Sequence, residues 1–193
     1  MTELYDPLTY DNLMAGTILE FERRPLLRLA DDISVRGPGI YCLVYTGPFD
    51  VYGEIAASGN PVYVGKAVPP GSRRGDTVNV DSPALRSRLR EHARSIDQAT
   101  NLDKKDFQYR YLAIEPVWIT LAERFAIDHY KPVWNRCLDG FGDHDPGSGR
   151  YNGEKSWWDT MHPGRGWAGN LRQVKTLEEA IERVQTFFAS EQS

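Results

Sequence analysis

Gly39-Ile40-Tyr41-Cys42-Leu43-Val44-Tyr45 and Pro61-Val62-Tyr63-Val64-Gly65-Lys66-Ala67 are two short runs rich in β-branched and aromatic residues. Between them lie the turn-forming residues Gly47, Pro48, Gly53, Ser58, Gly59 and Asn60. This pattern predicts a β-hairpin with a long connection. Side chains alternate across a strand, so Tyr41 on one strand and Tyr63 on the other can present two phenol oxygens on one face of a small sheet. A phenol both donates and accepts hydrogen bonds, so that face can handle a water and a phosphate. Either tyrosine alone reads as a half-buried strand aromatic, and the residues that follow supply the case for chemistry.

Downstream of the hairpin, a loop over 69–82 is rich in Pro, Gly, Arg and Asp. Ser82 as N-cap and Pro83 at the first helical position predict a helix running to about residue 96. Leu85, Leu89, Ala93 and Ile96 form its buried stripe, and Arg88 and His92, four residues apart, share an adjoining face. Alternation over 107–114 predicts a third strand. A second helix begins near Pro116 or Val117, turns Leu121, Ala122, Phe125 and Ala126 inward, carries Glu123 in its middle, and stops before Pro132. Asn135 follows the Pro-Val-Trp turn.

The flanks are less regular. Residues 1–36 read as an N-terminal arm with a loosely helical stretch over 10–21 and a short apolar helix or docking segment at 25–29. Residues 37–135 form the core of a single 193-residue domain. Residues 136–193 form a loop-rich extension organised by large aromatics, ending in a helix that the Thr176/Glu179 capping box starts.

The chain carries 23 Lys and Arg against 27 Asp and Glu, for a net charge of −4. This argues against indiscriminate coating of nucleic acid. From Lys66 to Arg94, however, seven basic residues face three acids, a local basic sector suited to a polyanion. No apolar run approaches the roughly 20 residues of a membrane span. Residues 1–11 hold three acids and no basic residue, unlike a secretory signal. Cys42 and Cys137 are far apart and lack metal-ligand spacing, so they read as reduced thiols in a cytoplasmic protein.

Collected in order, Tyr41, Tyr63, Arg88, His92, Glu123 and Asn135 suit phosphodiester hydrolysis. The attacking water needs a base, the phosphate needs positive charge on its oxygens, and the leaving oxygen needs a Lewis acid or a proton. Arg88 can clamp the phosphate, and His92 can hydrogen-bond a tyrosine and share its proton. One carboxylate, Glu123, suits Mg²⁺, which takes few protein ligands and keeps its waters.

With Gly39-Ile40-Tyr41, Tyr63-Val64-Gly65, Arg88 with His92, Glu123 and Asn135 all in order, the sequence resembles the GIY-YIG nuclease superfamily. The likeness spans roughly residues 38–135, and the ordered set is far more specific than either tripeptide. It implies an α+β fold, a small three-stranded antiparallel sheet flanked by helices, and divalent-metal-dependent DNA cleavage with Mg²⁺ or Mn²⁺. In these terms one of the two tyrosines is the base, and Tyr41, aided by His92, is the candidate. Tyr63 holds the water or the phosphate, Arg88 stabilises the transition state, Glu123 binds the metal, and Asn135 fixes local structure. Within the superfamily the chain is most similar to type II restriction endonucleases that cut CCGCGG, a likeness that includes the stretch 157–165. Those relatives imply a homodimer acting on double-stranded DNA within a restriction-modification system.

Base reading is the work of Arg, Lys, Asn and Gln in the grooves. The candidates are Lys66, Arg73, Arg74, Arg90, Lys104, Lys105, Arg150, Asn152, Lys155 and Arg165. His144, Asp145 and His162 fit no metal-ligand spacing and read as satisfied loop residues. Two other readings compete with a site-specific endonuclease: a structure-specific or repair nuclease on the same core, and a DNA-binding protein without catalysis.

Overall fold

A computed structural model describes residues 6–69 and 81–191. Helix α1 (Tyr10–Glu22) leads into a two-residue strand, β1 (Leu27–Arg28), and then into β2 (Gly39–Tyr45). After the short helix α2 (Gly53–Ser58) come β3 (Pro61–Ala67), α3 (Ala84–Gln98), β4 (Phe107–Ala113) and α4 (Pro116–Tyr130). Three further helices complete the chain: α5 (Val133–Arg136), α6 (Trp157–Met161) and α7 (Leu177–Glu191). The sheet is antiparallel in the order β1-β4-β2-β3. The fold is α+β, as expected.

All seven residues of β2 are buried, because helices cover both faces of the sheet. On one face Tyr41, Leu43 and Tyr45 pack with Leu85, Leu89 and Ile96 of α3 and with Trp134, Phe141 and Trp158. On the other, Ile40, Cys42 and Val44 pack with Val64 of β3, Ile18 and Phe21 of α1, and Ala122 and Ala126 of α4. Each large apolar side chain so buried contributes about 1.5–3 kcal/mol.

Several details depart from expectation. Among the described residues the sheet has four strands rather than three. The segment at 25–29 is neither helix nor free docking peptide: Leu27 and Arg28 pair with Tyr109 and Gln108, and the Leu29 amide donates to the Phe107 carbonyl at 3.0 Å. The segment thereby satisfies backbone groups that β4 would otherwise leave bare along its edge. Ser82 does not cap α3. Pro83 takes that place, and the Ser82 hydroxyl is buried without a partner among the described residues. α4 ends as expected, with Lys131 in the left-handed region at φ 45° just before Pro132. Within the N-terminal stretch over 1–36, Tyr10 packs edge-on against Phe125 of α4 at 4.8 Å.

The C-terminal extension is fastened by a buried polar chain. Trp134 Nε1 donates to the Tyr52 hydroxyl at 2.8 Å, Tyr52 meets His162 Nε2 at 2.6 Å, and His162 Nδ1 meets Asn101 Oδ1 at 2.9 Å. The Thr176/Glu179 capping box forms as expected, with reciprocal bonds of 2.7 and 3.1 Å. Among the described residues no helix is long and apolar enough to cross a membrane.

Candidate active site

The register of the hairpin sets Tyr41 opposite Gly65 and Leu43 opposite Tyr63, so both phenols project from the α3 face. Their ring centroids lie 6.3 Å apart. Gly65 is a steric requirement, since a Cβ there would stand 2.5 Å from the Tyr41 oxygen and 2.9 Å from a Tyr63 ring carbon. The glycine of the second tripeptide thus makes room for the tyrosine of the first.

α3 delivers the other two groups. Leu85, Leu89 and Ile96 seat the helix in the core, and this turns Arg88 and His92 toward the phenols. His92 Nε2 lies 2.6 Å from the Tyr41 oxygen. The positive charge of Arg88 acts on both Tyr41 and Tyr63. Burial pushes the Tyr41 phenol well above its ordinary range. Tyr63 and Glu123 push the same way, while Arg88 pulls back. Tyr63 is raised by burial and by Glu123, again against Arg88. His92 is held well below the usual imidazole value, first by burial and then by the positive charge of Arg88. A neutral imidazole therefore faces a protonated phenol. A neutral imidazole nitrogen without its proton can accept the phenol's hydrogen at this distance.

Glu123 comes from α4, on the far side of the β3 edge, yet its charge acts on both phenols. Its carboxylate is 20% exposed and pairs with Lys66 Nζ at 2.6 Å. Asn135, on α5, lies along the open edge of β3. Its Oδ1 accepts from the Val64 amide and its Nδ2 donates to the Val64 carbonyl, both at 2.8 Å. One side-chain amide thus does the work of a neighbouring strand at the residue between Tyr63 and Gly65.

Some of the surroundings escaped sequence reasoning. Phe141 stacks on the His92 ring at 4.5 Å and 18° and meets Tyr63 edge-on at 4.9 Å. His144 Nε2 accepts from Arg88 Nη1 at 2.9 Å, and Glu91 Oε2 accepts from the same nitrogen at 2.7 Å. Glu91 could have been read from its helical spacing to Arg88, whereas nothing local connects His144 to a residue 56 positions earlier. His162 belongs to the Tyr52 chain, and burial alone drives its pKa down to about 3. No cluster of three His, Cys, Asp or Glu able to hold a metal exists among the described residues.

The base-reading candidates divide sharply. Arg90, Arg150 and Asn152 are exposed. Lys66 is tied to Glu123, Lys104 to Asp31 and Asp97 at 2.7 and 2.8 Å, and Lys105 to Asp103 at 2.7 Å. Lys155 is half-buried, its backbone amide bonded to the Arg172 carbonyl at 3.0 Å. Arg165 requires a correction, because it is buried rather than turned to DNA. It grips Asp159 through two bonds of 2.6 Å, donates to the carbonyls of Gly140, Phe141 and Asp143, and stacks on Trp158 and Trp167. The loop carbonyls and the buried aspartate consume its donors, so it holds the 140–143 loop in place. Arg73 and Arg74 lie outside the described residues.

Comparison with curated protein sequences gave no match. A family model, the Eco29kI GIY-YIG domain, matches residues 34–188, from just before β2 into α7. The match covers both tripeptides, both helical motifs, Asn135 and most of the extension. The ordered motifs, the sheet that carries them and this match agree: the chain belongs to the Eco29kI family of GIY-YIG restriction endonucleases, and is a nuclease.

Proposed function

We propose that the protein is a type II restriction endonuclease that makes site-specific double-strand cuts in palindromic DNA by Mg²⁺-dependent hydrolysis. The proposed target is CCGCGG, on the strength of resemblance. The carrying observation is the convergence of Tyr41, Tyr63, Arg88 and His92 around one 2.6 Å phenol–imidazole contact. Tyr41 is fully buried and Tyr63 is half-buried, so water reaches the pair at Tyr63. As the water attacks phosphorus, its proton passes to the Tyr63 oxygen, that of Tyr63 to Tyr41, and that of Tyr41 to His92 Nε2. The buried imidazole is neutral and able to receive it. Arg88 places fixed donors against the charge that grows on the phosphate oxygens.

A divalent ion fits Glu123. The carboxylate is partly open to solvent and already has a cation 2.6 Å away, and with no cluster of three metal-ligating groups among the described residues the ion would keep most of its water, as Mg²⁺ prefers. Such an ion supplies Lewis-acid stabilisation of the leaving oxygen. A cut through both strands of a palindrome needs two such sites, and we infer a cytoplasmic homodimer working beside a protective methyltransferase.

The test is digestion of a sequenced plasmid with Mg²⁺ and mapping of the ends. Discrete fragments ending within CCGCGG are expected. Cutting confined to branched DNA would refute the site-specific reading. Glu123→Gln should bind DNA without cleaving it, and retained cleavage would refute the metal assignment.

A further inference from the structure

Strand alternation puts Val64 and Lys66 on the same side of β3. Val64 packs with Ala122 and Ala126 of α4. Lys66, opposite Ile40 in the register, therefore lies over the same helix, and its ammonium lands on Glu123 Oε2 at 2.6 Å. The pair is 38% and 20% exposed, so it borders solvent and can open. Lys66 has no other carboxylate partner among the described residues. A divalent ion binding Glu123 would come within about 2.1 Å of a carboxylate oxygen, close enough to repel the ammonium.

We propose that Lys66 is a displaceable counter-ion of the metal site. In the free protein it holds the Glu123 carboxylate in position and competes with a divalent cation for it. When DNA arrives, the ammonium transfers to a phosphate oxygen and releases the carboxylate. Metal and DNA then bind more tightly together than apart, and by linkage each strengthens the other to the same degree. The inference rests on Glu123 as metal ligand. It gives Lys66 a role distinct from base reading, because a phosphate contact carries no sequence information.

The experiment measures Mn²⁺ binding to the full chain by electron paramagnetic resonance, first without DNA and then with a short duplex. Lys66→Met, similar in length but uncharged, should bind Mn²⁺ roughly fivefold tighter than the parent without DNA, as expected on removing a competing ion pair and a like charge. It should also gain less affinity when the duplex is added. Lys66→Arg keeps the charge and should bind like the parent. Binding by Lys66→Met that is equal to or weaker than the parent's overturns the counter-ion role. Glu123→Gln separates the two failures: it should abolish the binding, and Mn²⁺ affinity that survives it removes Glu123 as ligand and the inference along with it.

Discussion

Replacement of Asn135 by alanine isolates the strand edge from the chemistry. The amide makes two bonds of 2.8 Å to the peptide groups of Val64, a fully buried residue on the outermost strand. A net hydrogen bond is worth about 1 kcal/mol, and an unpaired buried group costs about 1–3 kcal/mol. Asn135 is half-buried, so water reaches part of the gap and the loss should fall near 2–3 kcal/mol. For a chain of this size each kcal/mol lowers the melting temperature by about 2–4 °C, which predicts a drop of about 4–12 °C. The cleavage rate, measured well below the melt, should fall much further. Tyr63 and Gly65 flank the freed residue, and a 1 Å misplacement can cost about a hundredfold. Asn135→Asp extends the test. It keeps an acceptor for the Val64 amide but sets a carboxylate against the Val64 carbonyl, so near neutral pH it should be worse than alanine and should recover as the acid is protonated. An alanine variant that melts and cleaves like the parent would refute the strand-edge role.

Gly65→Ala should destabilise the fold by roughly 1–3 kcal/mol, because its Cβ would meet the Tyr41 oxygen at 2.5 Å. DNA binding should survive while cleavage is lost, as gel shift and digestion would show. Acid should destabilise the fold through His162 and His92. Both are held below the ordinary imidazole value, so the unfolded chain takes up protons first. Stability should be full above about pH 6.5 and decline as pH falls toward the His162 value of about 3. Thermal melts across that window should show the decline, and His162→Gln should flatten part of it. Asp159→Ala leaves the Arg165 guanidinium, 1% exposed, without its counter-ion and should cost about 3–5 kcal/mol by denaturant unfolding. A parent-like midpoint would show that the pair does not hold the loop.

The sheet core and the six motif residues were legible because each rests on a local rule. Alternation gives the strands, the stripe on α3 gives its orientation, and the four-residue spacing of Arg88 and His92 gives their common face. What could not be read depends on distant contacts. β1 is too short to show a period and exists because β4 offers it an edge. Ser82 has the chemistry of a cap, yet the backbone it belongs to is claimed by Gly37, whose amide donates to the Ser82 carbonyl at 2.8 Å. Arg165 looked like a base reader because it sits among glycines in a long loop. Its burial follows from Asp159, and an ion pair across a loop leaves no mark on periodicity.

Among the described residues two tyrosine–histidine pairs share the same 2.6 Å contact, Tyr41–His92 and Tyr52–His162, and both imidazoles are buried and neutral. Proximity alone therefore cannot mark the reacting pair. The difference lies in what borders each one. Tyr52 receives a bond from Trp134 and His162 meets Asn101, so both partners find their further hydrogen bonds within the protein. Tyr41 borders Arg88, the half-exposed Tyr63 and the field of Glu123, groups whose donors and charge reach solvent. A closed chain of hydrogen bonds fastens the extension to the core, whereas an open one beside a guanidinium and a carboxylate can pass on a proton. Tyr52→Phe should accordingly lower stability while leaving cleavage by the folded protein intact, and Tyr41→Phe should do the reverse.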